Sequence, residues 1–388
     1  MIISKLNFDK KLKLSLTQQN GVTLIELLVA MVISMFVLLA VTTVYVTTKN
    51  TYRYQETIVQ LQENARYATS VLASEIREAG YAGCNPKVRS LLKPLPGGNP
   101  YNPQAGIEGW EYTATGTGPG TIASFASSTE IGVDGDWTGV GATNLNPLLT
   151  GNVIRGTDVL AITSSVQRED LIPNPGPATS ASIVLNKAHG IEEDTIVIVG
   201  DCDKGDMFQN RTGGAGAVAL TRPAAGNPGN IAPANWVQAI TSDMRIQVLQ
   251  SKFYFIGVNV EGEPALFRLD LSQGPGGPPA EIAPGVENMQ ILYGEDLTDD
   301  ESFLPDRYVT ANNITNPDNV VTVRISLLMR TPVNLNRDPV LPLPQRMLSN
   351  TATTTTVEYT TLDQRARRVF TSTIFLRNKG LYRERIGT

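Results

Sequence analysis

Two hydrophobic patterns divide the first eighty residues. From Gly21 the chain reads GVTLIELLVAMVISMFVLLAVTTVYV, in which the twenty-five residues Val22 to Val46 carry Glu26 as their one charge. At about 1.5 Å per residue this stretch makes a helix of roughly 37 Å, longer than the roughly 30 Å hydrocarbon core of a bilayer. From Ile58 the pattern becomes one apolar or small residue every three or four positions: Ile58, Leu61, Ala65, Ala68, Leu72, Ile76 and Ala79, with Gln, Glu and Arg between them. That spacing predicts an amphipathic helix with one face to bury. Gly80 ends it, since glycine takes a left-handed cap at little cost. One helix over about 23–79 is expected, apolar all round in its first half and one-sided in its second.

Beyond Gly80 the chain turns to short β-branched runs separated by turns. Strands are expected at Val159–Thr163, Ser182–Leu185, Thr195–Val199, Lys252–Gly257, Ala265–Leu271, Val286–Tyr293, Val320–Met329 and Val369–Leu376. Lys252–Gly257 and Ala265–Leu271 form a hairpin with Glu261-Gly262 near its tip. The fold class is therefore α+β: a long N-terminal hydrophobic helix packed on a large, mainly antiparallel β head with long loops.

Composition adds limits. With 388 residues, 41% apolar and 18% charged, the chain has ample material for a globular core. Its glycines and prolines concentrate at 92–120, 171–178, 212–235 and 272–285, with no fixed period and no internal repeat, and so read as loops. Net charge is −5, and outside the first residues the one Arg-rich stretch is Arg365, Arg367 and Arg368, which excludes a nucleic-acid groove. A single histidine, His189, and two cysteines, Cys84 and Cys202, exclude the common His/Cys metal cages and weaken any Cys/His or Ser/His catalytic centre. No catalytic residue, metal ligand or cofactor is assigned, and the protein reads as a non-enzyme.

Residues 1–20 hold Lys5, Lys10, Lys11 and Lys13 against the single acid Asp9, the bias that keeps a segment on the cytoplasmic side of a membrane. An ordinary secretory signal is cut after its apolar stretch; here the breaker, Gly21, precedes it. The sequence Gly21-Val22-Thr23-Leu24-Ile25-Glu26 resembles the class III leader of type IV pilins and type II secretion pseudopilins. That resemblance implies cleavage between Gly21 and Val22 by a prepilin peptidase, with N-methylation of Val22, which departs from the usual Phe. It also implies that Glu26, fifth in the mature chain, serves assembly. A carboxylate in an apolar span is expensive and marks a function. A plain signal anchor gives no such reason for it.

Within the head, IREAGYAGC at 76–84, GDCDKGDMFQ at 200–209, GVENMQILYGED at 285–296 and RRVFTSTIFLRN at 367–378 resemble the PilW family of minor pilins, in the family's order. The division implied is a cleaved leader (1–21), a transmembrane half of the helix (22–46), an amphipathic half (47–80) and a β-rich head (81–388). The function implied is that of a minor pilin helping to initiate assembly in a tip or priming complex. Its partners would be other minor pilins, the major pilin, the prepilin peptidase and the inner-membrane assembly machinery. The protein would sit in the inner membrane with its head in the periplasm, then in the pilus at the cell surface. A pilus-borne adhesin or ligand-binding module, and a type II secretion pseudopilin, are the alternatives.

In the oxidising compartment so implied, Cys84 and Cys202 read as a disulfide, against two separate buried thiols. Asp201, Asp203 and Asp206 are spaced like the start of a calcium loop, but the twelfth position, where a bidentate Glu belongs, is Thr212. A solvated turn is the reading there, as at Asp134-Gly135-Asp136. His189 reads as part of a surface turn, the GPGGPP run at 274–279 as a linker, and Trp110, Trp137 and Trp236 as core plugs.

Overall fold

A 55-residue helix, α1 (Leu24–Glu78), leads the described chain. The computed structural model describes residues 21–84, 88–94, 101–103, 106–113, 129–231, 235–272, 277–298, 304–332, 345–351, 354–359 and 365–378. Residues 1–20 of the leader and the first residues of the GPGGPP run lie outside them. The chain divides into two compact units, residues 1–56 and 57–388.

In the first unit the helix up to Val46 is apolar all round apart from Glu26 and exposed, and the helix is long and apolar enough to cross a membrane. Its hydroxyls bond within the helix: Thr42 and Thr43 donate to the carbonyls of Leu38 and Leu39, both at 2.9 Å, and Thr47 donates to Thr43 at 2.8 Å. These threonine hydroxyls then need no water, which suits a lipid-facing segment.

In the second unit the strands run in chain order β1 (Val88–Ser90), β2 (Ile107–Tyr112), β3 (Trp137–Gly139), β4 (Val159–Gln167), β5 (Ser182–Val184), β6 (Ile196–Gly200), β7 (Gly205–Gln209), β8 (Ala219–Thr221) and β9 (Arg245–Val258). They continue with β10 (Pro264–Asp270), β11 (Ala280–Pro284), β12 (Val286–Glu295), β13 (Arg307–Val309), β14 (Val320–Arg330), β15 (Gln345–Thr351), β16 (Thr354–Tyr359) and β17 (Arg367–Phe375). The larger sheet has nine strands in the order β1-β7-β6-β9-β4-β2-β3, with β10 on the second half of β9 and β11 on β10. Only β1 and β7 pair in parallel there. A four-stranded antiparallel sheet runs β13-β12-β14-β17, and β15-β16 and β5-β8 are two-stranded ribbons. The α+β class is borne out, and each of the eight expected strands is present. The hairpin is β9–β10, with Val258 opposite Pro264 and Gly262 at φ +79° in the turn.

Strand alternation distributes the core. On β9, Tyr254 and Ile256 face one cluster while Phe253 and Phe255 face another; on β6, Ile196 and Ile198 point away from Val197 and Val199. The larger sheet thus buries both faces. On one of them lies the second half of α1, whose Leu61, Ala65, Ala68, Leu72, Ala73, Ile76 and Ala79 join residues of β4, β9, β12, β14 and β17 in one core. Ile58, expected on this face, is half-buried at its margin.

Polar contacts fix how far along the sheet the helix sits. Lys252 Nζ reaches both oxygens of Glu75 at 2.8 and 2.9 Å, and Asn378 Nδ2 donates to the carbonyls of Glu78 and Ala79, closing the helix end from 299 residues away. Gly80, at φ +74°, donates its N–H to Thr163 O (2.9 Å), whose own N–H bonds Gly106 O (2.8 Å). A Cβ on Gly106 would lie 2.6 Å from Gly80 N, a backbone atom that cannot move aside. Gly106→Ala should therefore destabilise the head by more than the roughly 1 kcal/mol that a left-handed alanine costs, whereas Gly135→Ala, at φ +86° with open space around it, should show only that cost. Urea unfolding of the two variants measures the difference.

Candidate functional site

The start of α1 is built by its own sequence. Thr23 N and Thr23 Oγ1 both donate to Glu26 Oε2 at 3.0 Å, and Glu26 N donates back to Thr23 Oγ1 at 3.4 Å. This is a capping box: the N-cap threonine and the glutamate three residues on satisfy each other's free backbone donors. Thr23-Leu24-Ile25-Glu26 carries the pattern openly, and the sequence reading, which gave Glu26 a role in assembly alone, missed it. Val22 is 73% exposed, and a Cβ on Gly21 would meet no atom within 4 Å, so the Gly21–Val22 bond lies on open backbone just before the cap.

Cys84 and Cys202 form a disulfide with Cα atoms 4.9 Å apart. It ties the segment leaving α1 to the turn between β6 and β7. That segment continues as β1 alongside β7, and Leu91 N bonds Met207 O at 2.8 Å.

The acidic run around Cys202 is not one solvated turn. Asp203 is exposed, whereas Asp201 accepts the N–H groups of Lys204 and Asp203 (2.9 Å each) and Gln238 Nε2 (2.7 Å), bonds that hold its carboxyl below the usual range, Lys204 foremost. Asp206 departs from the expectation altogether. It is 2% exposed within β7 and takes Arg89 Nε at 2.6 Å and Val237 N at 2.7 Å. Alternation in Gly205–Gln209 was masked because all five residues are buried.

His189 is also corrected: it is fully buried, and its Nδ1 accepts the N–H of Ile191 at 2.9 Å. Burial lowers its pKa, so the ring is neutral and part of the core. Asp136 is mostly buried too, accepting Val133 N at 2.9 Å beside Arg155. Trp110, Trp137 and Trp236 are core plugs as expected, their indole N–H groups bonded to the carbonyls of Asn144, Thr157 and Ser180. Among the described residues no group of three His, Cys, Asp or Glu side chains gathers as a metal site would require.

Residues 16–42, at the start of the apolar helix, match the prokaryotic N-terminal methylation motif, and motif and helix together support a membrane-anchored, pilin-like protein. Residues 253–378 match the family model described as Type IV Pilus-assembly protein W, and the two matches together support a PilW-type minor pilin of a type IV pilus. Of the four head segments that resemble the family, those at 285–296 and 367–378 lie inside the matched range. No curated protein and no solved structure matches the chain. The matched families are structural pilin components, associated with the membrane and with the pilus machinery.

The disulfide closes a separation of 118 residues, for which chain entropy gives up to about 4–5 kcal/mol. Replacing both cysteines by serine should lower head stability by a large part of that and release β1 from β7. Denaturant unfolding and amide hydrogen exchange over 84–94 and 202–209 measure the two effects.

Proposed function

We propose that this minor pilin helps to initiate pilus assembly in a complex with other minor pilins, to which the major pilin is then added. Supporting this is the Gly21–Glu26 segment: an open Gly21–Val22 bond beside a capped helix whose apolar stretch has no cover of its own. Prepilin peptidase would cut that bond and leave Val22 with a free amine, which is then methylated. The head would face the periplasm while the inner-membrane machinery draws the helix into the fibre.

Glu26 would serve twice in this reading. Both Thr23 bonds fall on Oε2, so the cap does not engage Oε1, which can accept from the Val22 amine of a neighbouring subunit. Opposite charges attract strongly in low dielectric, and leaving either alone is costly, so assembly would be favoured only in register.

N-terminal sequencing of the membrane form should begin at Val22; an intact leader, or a chain beginning near Thr48, rejects the precursor reading. Glu26→Gln keeps a capping-box residue while removing the charge. It should be processed and inserted normally yet enter pili poorly. Glu26→Ala loses the cap as well, worth about 0.5–2 kcal/mol at the helix start. Wild-type incorporation of Glu26→Gln would show that the cap suffices. Loss of surface pili on deleting the gene is the outcome an initiating role requires; intact pili with lost attachment would indicate adhesion instead.

A further inference from the structure

Glu111 stands near the end of β2 and Asp158 just before β4. The ladder between these strands pairs Gly109 with Leu160 and Trp110 with Val159, which sets Glu111 directly opposite Asp158. Opposed residues of an antiparallel pair share a face, and like charges there repel. Here the face is that of Ile107, Leu160 and Ile162, turned toward the core shared with α1 and the smaller sheet.

Water does not screen the pair. Asp158 is 3% exposed, and Glu111 Oε2 is buried with no hydrogen-bond partner. Tyr293 of β12 is 1% exposed, and its hydroxyl is likewise unpartnered. It lies over Gly109, where a Cβ would come within 1.8 Å of Oη, and so sits beside Glu111 on the same face of β2. Among the described residues no Lys, Arg or His side chain forms an ion pair with either carboxylate, and Tyr293 is the titratable group that β12 turns toward them. The turn at Ala311–Asn313 contributes none.

Asp158 is also the joint between the two sheets. Its Oδ2 accepts Ile291 N–H at 2.7 Å, its Oδ1 accepts Tyr112 N–H at 3.5 Å, and its own N–H donates to Met289 O at 2.9 Å. Asn288 and Gln290 reinforce the seam by donating to Gly156 O, both at 2.9 Å. The N–H bonds favour Asp158 as the ionised partner, so a proton belongs on Glu111.

We propose that Glu111 and Asp158 share one proton, carried by Glu111 and directed at Asp158, and that this pair is a pH-sensitive latch between the two sheets of the head. Burial raises both carboxyls, and the charge of Asp158 raises Glu111 further. A carboxyl raised in the fold holds a proton that the unfolded chain has lost above about pH 4, so stability falls as pH rises through neutrality.

The test is thermal unfolding of the full chain in detergent from pH 5.5 to 8.5, for wild type and Glu111→Gln. The amide can donate to Asp158 as the protonated acid does. At pH 8.5 the variant should melt higher by about 2–4 °C or more, and its stability should depend less on pH. Infrared difference spectra between the two proteins at pH 6 should show a protonated-carboxyl C=O band in the wild type. The latch is overturned if Glu111→Gln is less stable at every pH, if that band is absent, or if calcium at fixed pH stabilises the wild type and not the variant. The last result would mean that a cation, not a proton, holds the pair.

Discussion

The docking of the second half of α1 against the β head is the contact on which the rest depends. Its buried face alternates small residues, Ala65, Ala68, Ala73 and Ala79, with Leu61, Leu72 and Ile76, all less than 9% exposed. The alanines let the helix backbone approach the sheets closely, and the larger side chains fill the space between. Burying Leu61, Leu72 and Ile76 stabilises the contact by about 1.5–3 kcal/mol each. Apolar contact alone would tolerate a slide along the helix axis. The Glu75–Lys252 pair, the Asn378 cap and the Gly80–Thr163–Gly106 chain of hydrogen bonds each demand one position, and so turn a greasy contact into a register.

The same division of labour recurs away from the helix. Arg330 and Arg367 stand directly opposite on β14 and β17, a pairing that would repel by itself. Glu287 of β12 bonds both, and Glu263, beside the β9–β10 turn, bonds Arg330 and Arg365. The hairpin of the larger sheet is thereby fastened to the smaller sheet through side chains that are themselves largely buried. Such a network adds little net stability over apolar packing but penalises every misalignment that leaves a charge alone.

Legibility followed periodicity. The helix, its glycine cap and the β-branched strands were plain because each repeats a short local rule. What stayed hidden lacked one. In β2, Ile107-Glu108-Gly109-Trp110-Glu111-Tyr112, two acids and a glycine break the apolar alternation, because the strand carries a buried polar joint and a glycine that makes room for Tyr293. The first half of β9, from Arg245, alternates with glutamines, of which Gln247 is buried because it donates to Ala82 O. Asp206 was read as a surface residue because its partners, Arg89 and Val237, lie in distant segments, and His189 because its bond to Ile191, two residues on, gives no sign of the burial that the fold imposes. The capping box at Thr23 and Glu26 was local and could have been read directly.

The family match and the core can be set against each other. The matched range, 253–378, supplies Tyr254, Ile256, Leu266, Met289, Ile291, Val323, Ile325 and Ile374 to the core that receives α1. The third cluster, built around Phe208, Trp236 and Ile246, takes none of its buried residues from that range. A sequence model can register only those positions that a shared constraint holds in common. The layer around Phe208 lies on the same face of the larger sheet as the helix, since Val197 and Val199 stand opposite Val248 and Ile246, but it sits at the β6–β7 end of that face and is built from residues outside the matched range.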